Sequence, residues 1–202
     1  NRFLVMRVSC LFLISLVFVG CISRHAPSVA YFSFLDMSQL GETQTMTSLS
    51  GVNLGIGPVM IPETLKRSQV VTRRDVNQYE FNEFNRWAGI LEKDIAKVLG
   101  DNLDQLLGVD EIAEFPWPKY FNPTYRVIVD IEQLDGDLKK EAVLSARWAI
   151  TDASGKNQLV ARKSVHRTPL ENADYPELVE AESQLLAILS KEIANEIVAL
   201  RK

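Results

Sequence analysis

The chain has 202 residues, with 26 acidic and 22 basic side chains, a net charge of −4 and two histidines. That length holds one domain with a sizeable core, and 47% hydrophobic with 24% charged residues is an ordinary globular composition. An acidic surplus argues against nucleic acid as a partner, because phosphate binding needs a clustered positive face.

Arg2 and Arg7 bracket a short basic lead, and Val8 to Val19 is apolar apart from Ser9, Cys10 and Ser15. This run is about half of the roughly 20 residues that a membrane-spanning helix needs, so it reads as the apolar region of a signal peptide. Phe18, Val19, Gly20 and Cys21 resemble a bacterial lipobox, in which cleavage falls before the cysteine and its sulfur takes a diacylglycerol; Phe18 stands where leucine is usual. An ordinary signal peptide with Cys21 merely nearby is the alternative. The sequence opens on Asn1, and Met6 is a possible start that leaves Arg7 as the only charge of the lead.

On the lipobox reading, residues 1–20 are a signal peptide and Cys21 is the first working residue and the site of lipidation. Cys10 leaves with the peptide, so an intrachain disulfide has no partner. The 22 basic residues lose Arg2 and Arg7 while all 26 acidic ones stay, which takes the net charge from −4 to −6. Each buried CH₂ of the lipid contributes about 0.8 kcal/mol, and two or more acyl chains hold a protein where one does not. Ile22 is not the Asp that retains lipoproteins at the inner membrane of enteric-type bacteria; by resemblance to those sorting rules, the periplasmic side of the outer membrane is expected. Residues 21–30, with Ser23, Arg24, His25, Pro27 and Ser28, read as the lipidated tether, and 31–202 as one domain.

Within that domain "VAYFSFLDM" has strand character, and Ser38 to Ser50 reads as loop. "VNLGIGPVMIP" predicts a strand interrupted by a bulge or turn at Gly55, Gly57, Pro58 and Pro62; Met60 occupies the third glycine position of a dinucleotide fingerprint, which it therefore is not. "SQVVTRR" and "NQYEFNEF" look like two short strands of a hairpin. From Arg86 to Leu107 the period becomes helical, through Trp87, Leu91, Ile95, Val98, Leu99, Leu103 and Leu106, with Gly108 as the stop.

"FPWPKYFNP" is too rich in proline for a helix or an inner strand. "TYRVIVDIEQLDG" alternates, with Tyr125, Val127, Val129 and Ile131 on one face. "AVLSARWAITDASGKNQLVARKSVH" predicts a hairpin turning at Asp152 to Asn157, with Leu144, Ala146, Trp148 and Ile150 sharing a face. The last segment is an amphipathic helix striped by Leu178, Ala181, Leu185, Ile188, Leu189, Ile193 and Ile197. The expectation is an α+β single domain: a mostly antiparallel sheet with two long amphipathic helices packed on one face.

Chemistry-bearing patterns are thin. His25 and His166 lack a second ligand at metal spacing, and no G-x-S-x-G elbow occurs, so no metal, no cofactor beyond the lipid on Cys21, and no catalytic residue is expected. Asp130, Glu132, Asp135 and Asp137 invite an acid/base reading on a sugar, but Asp130 and Glu132 alternate with Val129 and Ile131 as on a solvated sheet face. Trp117, Tyr120 and Phe121, stiffened by Pro116, Pro118 and Pro123, either meet a partner or fold over a sheet edge. Trp87 and Trp148 read as core.

Together, the lipobox, "YFSFL", "LGIGPVMIPETLKRSQVVTR", "FNRWAGILEKDIAKVLGDNL", "FPWP", "YRVIVDIEQLDG" and "VLSARWAI" resemble the PqiC/YmbA family, the auxiliary lipoproteins of ABC-type and MCE-type transport systems. The resemblance runs from Tyr31 to the last helix. Its most specific positions are Gly57, Pro58, Pro62, Arg86, Trp87, Pro116, Trp117, Arg147 and Trp148; all of them but Trp117, a candidate partner contact, read as fold signatures. It implies a non-catalytic partner of an MCE-domain tunnel protein that moves lipids between membranes, anchored at the outer membrane and assembled as a homo-oligomeric ring. Two other classes fit the residues alone: a lipoprotein regulator of a cell-wall synthesis enzyme, and a lipoprotein hydrolase using Asp or Glu.

Overall fold

A computed structural model describes residues 27–42 and 44–201. Its elements are β1 (Ala30–Phe32), β2 (Asn53–Met60), β3 (Gln69–Asp75), β4 (Gln78–Trp87), α1 (Leu91–Leu107), β5 (Glu111–Glu114), β6 (Tyr125–Asp137), β7 (Glu141–Asp152), β8 (Gln158–Pro169) and α2 (Tyr175–Ala199). Residues 1–20, expected as a signal peptide, Cys21, expected to be lipidated, and residues 22–26 of the expected tether lie outside the described residues.

The eight strands form one mixed sheet organised around β6. Along one edge, β6 pairs antiparallel with β7 from Tyr125↔Asp152 to Asp137↔Glu141, and β7 pairs antiparallel with β8. The other edge of β6 is shared. Its first half takes β2 in parallel, with β5 parallel beyond it, and its end meets β3 at Thr72↔Gly136. β3 forms an antiparallel hairpin with β4, whose end carries β1 in parallel. The longest ladders are antiparallel, as the alternating patterns require, while four of the seven pairings are parallel.

Alternation sets the faces. Val127, Val129 and Ile131 of β6 and Leu144, Ala146, Trp148 and Ile150 of β7 are all buried beneath the helices. α1 contributes Leu91, Ile95, Val98, Leu99, Leu103 and Leu106, and α2 contributes Leu178, Ala181, Leu185, Leu189, Ile193 and Ile197. Each such side chain removed from water stabilises the fold by about 1.5–3 kcal/mol before entropy is counted. Ile188, expected in the stripe of α2, is instead 37% exposed, because the helix turns that flank away from the sheet.

Three elements depart from the sequence pattern for identifiable reasons. β1 keeps only three residues, because the N–H groups of Phe34, Leu35 and Met37 donate to Asp94 Oδ2, Ser183 Oγ and Asn102 Oδ1 on the helices (2.9, 3.1 and 2.8 Å) rather than to a strand. α1 begins at Leu91, not Arg86: Arg86 and Trp87 finish β4, and the four-residue step from Trp87 to Leu91 merely imitates a helical repeat. β5 has no pattern of its own and exists because β2 offers it an edge.

The stops follow local chemistry. Gly108 ends α1 in the left-handed conformation (φ 48°) and its N–H donates to Asp104 O. Asp174 caps α2, its carboxylate accepting from Glu177 N at 2.9 Å, whereas Ile90 at the corresponding position of α1 offers no side-chain cap. The β2 irregularity falls between Ile56 and Val59, around the cis Gly57–Pro58 bond.

Candidate functional site

The proline-rich segment after β5 folds back on β2. Phe115 N donates to Ile56 O at 2.8 Å, which places the cis Phe115–Pro116 bond beside the cis Gly57–Pro58 bond. A Cβ on Gly57 would lie 3.0 Å from the Cβ of Phe115, and one on Gly55 would lie 3.0 Å from the Trp117 ring, so the two glycines make room for the aromatic segment. Trp117 is half-buried, with Phe115 edge-on at 5.4 Å, Phe121 at 6.2 Å and the Arg126 guanidinium 5.3 Å from its ring.

Of the three aromatic residues left open between a partner and a sheet edge, Phe121 turns inward and is 4% exposed, so its ring is part of the fold. Trp117 lies over Gly55. Tyr120 stands free at 77%, joined by Phe115 at 53%, which the sequence pattern did not single out. Phe115, with Ile56, Pro58, Val59, Ile90, Ala96 and Pro116, lines an open hollow of about 510 Å³ bordered by Glu92, Lys93 and Glu114. Ile90 is 58% exposed because it sits at the uncapped start of α1, where helix register does not carry it inward.

The other positions singled out in the sequence are dispersed. Trp87 packs on Phe34 with ring centroids 4.8 Å apart; Trp148 is buried and donates from Nε1 to Ser164 Oγ at 2.9 Å. Arg86 pairs with Glu83, and Pro62 accepts from Leu65 N at its carbonyl, starting the turn that leads to β3. Arg147 and Lys163 flank Glu132 across three strands. Hydrogen bonds from Lys163, Arg147 and Ser145 hold the Glu132 carboxyl at about 2, well below the usual carboxylate range.

Asp135 is not on a solvated face: it is 2% exposed and takes Arg73 Nε on both oxygens, at 2.8 and 2.9 Å. His166 lies with Nε2 3.0 Å from Glu192 Oε1. Among the described residues, no group of three or more His, Cys, Asp or Glu is placed to hold a metal ion; Asp135 is taken by Arg73, and Glu132 by Arg147, Lys163 and Ser145. What the arrangement offers is a stiff, partly exposed aromatic surface suited to protein contact.

The class defined by the fold is an α+β domain with helices packed on one mixed sheet, and comparison with known proteins places it in a family. Residues 35–194 match the family of ABC-type transport auxiliary lipoprotein components, and the chain belongs to that family. No curated protein matches it. Among solved structures, an uncharacterized protein is similar at a TM-score of 0.64 and 23% identity, covering 76% of this chain and 99% of its own. A protein of Xanthomonas campestris is similar at 0.62 and 12% identity, covering 84% and 91%. At these identities the likeness concerns the fold.

Proposed function

We propose that this lipoprotein is a non-catalytic accessory of an MCE-type intermembrane lipid transport system, tied by a lipid on Cys21 to the periplasmic side of the outer membrane. In this reading it docks the MCE-domain tunnel protein and contributes to envelope integrity. Membership of the transport auxiliary family is the observation that carries it. The exposed edges of Tyr120 and Phe115 beside the hollow at Ile90 are the surface we assign to the tunnel protein, since aromatic anchors around an apolar recess are what interface hot spots are made of. A homo-oligomeric ring is part of the same reading.

The test is a photo-crosslinking residue placed at Tyr120 in cells. Recovery of an MCE-domain protein supports the assignment. Recovery of a cell-wall synthase replaces it with the regulator reading. No crosslink, together with an intact permeability barrier after gene deletion, sinks it. Mass measurement of the native lipoprotein in detergent reads the ring directly, and a monomer removes that part.

A further inference from the structure

The outer face of β1, β4 and β3, on the side away from the helices, carries an aromatic and arginine surface that the docking site does not use. Phe32 and Trp87 pair in register and face the helices, so Tyr31 and its partner Arg86 face outward. Tyr31 is 66% exposed, and Phe81 and Phe84 are 41% exposed. The guanidinium of Arg67 lies 3.8 Å over the Phe81 ring and that of Arg73 4.4 Å over Tyr79, with Tyr79 and Phe81 stacked at 6.3 Å. Val29, 41% exposed, continues the apolar strip toward the tether.

We infer that this face lies on the surface of the lipid bilayer to which the chain is anchored, which rests on the reading that Cys21 carries the lipid. Exposed tyrosine and phenylalanine rings are the chemistry of the membrane interface, where rings settle at headgroup depth; Arg67, which pairs with no carboxylate among the described residues, is the guanidinium placed to reach a lipid phosphate, since Arg73 and Arg86 are taken by Asp135 and Glu83. The position of the tether selects the bilayer over other occupants. Cys21 precedes Ala30 by nine residues, and an extended chain of that length reaches about 30 Å at most, so the anchor keeps β1 within one tether length of the lipid. β1 is the strand into which the tether runs, and Tyr31 projects from it onto this face. At the other end of the sheet, the same side of β7 and β8 bears the ion pairs of Glu132 with Arg147 and Lys163; near β1 the Arg86–Glu83 pair lies among the exposed rings of Tyr31 and Phe81.

The experiment uses the full chain, processed in cells and reconstituted into vesicles of phosphatidylethanolamine and phosphatidylglycerol. Nitroxide labels are introduced through Tyr31→Cys, Phe84→Cys and, as a distant control, Val165→Cys, which is 50% exposed on β8. Interfacial contact predicts that labels at 31 and 84 collide with a water-soluble relaxation agent about threefold less than the label at 165, with oxygen collisions raised in proportion. Equal accessibility at all three positions overturns the proposal, as does shielding that appears only when a partner protein is added. The mass of the Cys21 adduct, measured on the same samples, reads the anchor separately. A missing adduct refutes the lipidation reading, while the label contrast still decides the face.

Discussion

Glu182 sits on the sheet-facing side of α2, 1% exposed, with neither carboxylate oxygen hydrogen-bonded within the described residues. Burial pushes its pKa well above the ordinary 4.5, and the neighbouring Asp135 of β6 pushes it the same way, while Arg73 of β3 is spent on Asp135. The folded state therefore keeps a proton that the unfolded chain releases above about pH 4.5. Stability falls as pH rises through that window and levels off beyond the raised pKa, by about 1.4 kcal/mol for each unit of displacement passed. Glu182→Gln removes the titration and keeps the shape. Urea unfolding of wild type and variant at about pH 5 and pH 8 should show the variant losing less stability between the two; equal losses would assign the slope to other groups.

Gly55 makes a second argument at this scale. An added Cβ would lie 3.0 and 3.2 Å from carbons of the Trp117 ring and 3.3 Å from Pro123. Gly55→Ala should therefore cost about 1–3 kcal/mol, and much of that should vanish in a Trp117→Leu background where the ring is gone. Additive costs in the double variant would show that Trp117 does not rest on Gly55 in solution.

The helices differ in how they begin, and this is testable element by element. Asp174 caps α2, while the Glu177 side chain accepts from the N–H groups of Glu171 and Asn172 and so ties the preceding loop to the helix start. Asp174→Ala should cost about 1 kcal/mol, whereas Ile90→Asp should stabilise α1 by a similar amount by supplying the missing acceptor and a favourable charge at the helix start. Thermal midpoints moving in opposite directions would bear this out, and a neutral Ile90→Asp would mean that the start of α1 is already satisfied.

Elements that bury a face along their whole length were legible: β6, β7 and α2 carry their periods because each presents one continuous face to the core. β5 was not, since Glu111–Glu114 has no apolar alternation and owes its strand to an edge offered by β2. The early end of β1 was equally hidden. Phe34, Leu35 and Met37 look like strand until Asp94, Ser183 and Asn102, 60 to 148 residues away, take their N–H groups. At the candidate site, the aromatic segment was visible as a composition, but which rings point outward depends on how the segment lies over Gly55 and Gly57, so the sequence left Trp117, Tyr120 and Phe121 open between partner and sheet edge and did not single out Phe115.

At the scale of the whole molecule, the cysteine chemistry and the stability of the fold are separate. The chain has two cysteines, Cys10 and Cys21, and both precede the first described residue. The domain is held by a core shared between sheet and helices, by Asn102 bridging Met37 and Ser190, and by the Arg73–Asp135 pair, whose carboxylate is buried, none of which involves a cysteine. Adding a reductant should therefore leave the unfolding midpoint unchanged, in contrast to small secreted domains stapled by disulfides, where loss of a bridge costs about 2–5 kcal/mol. Cys21→Ala, by the same logic, should abolish incorporation of labelled palmitate and leave the signal peptide uncleaved while the domain unfolds at the wild-type midpoint. Palmitate retained in that variant would place the lipid elsewhere. A shifted midpoint would show that the anchor segment packs on the domain rather than leading away from it.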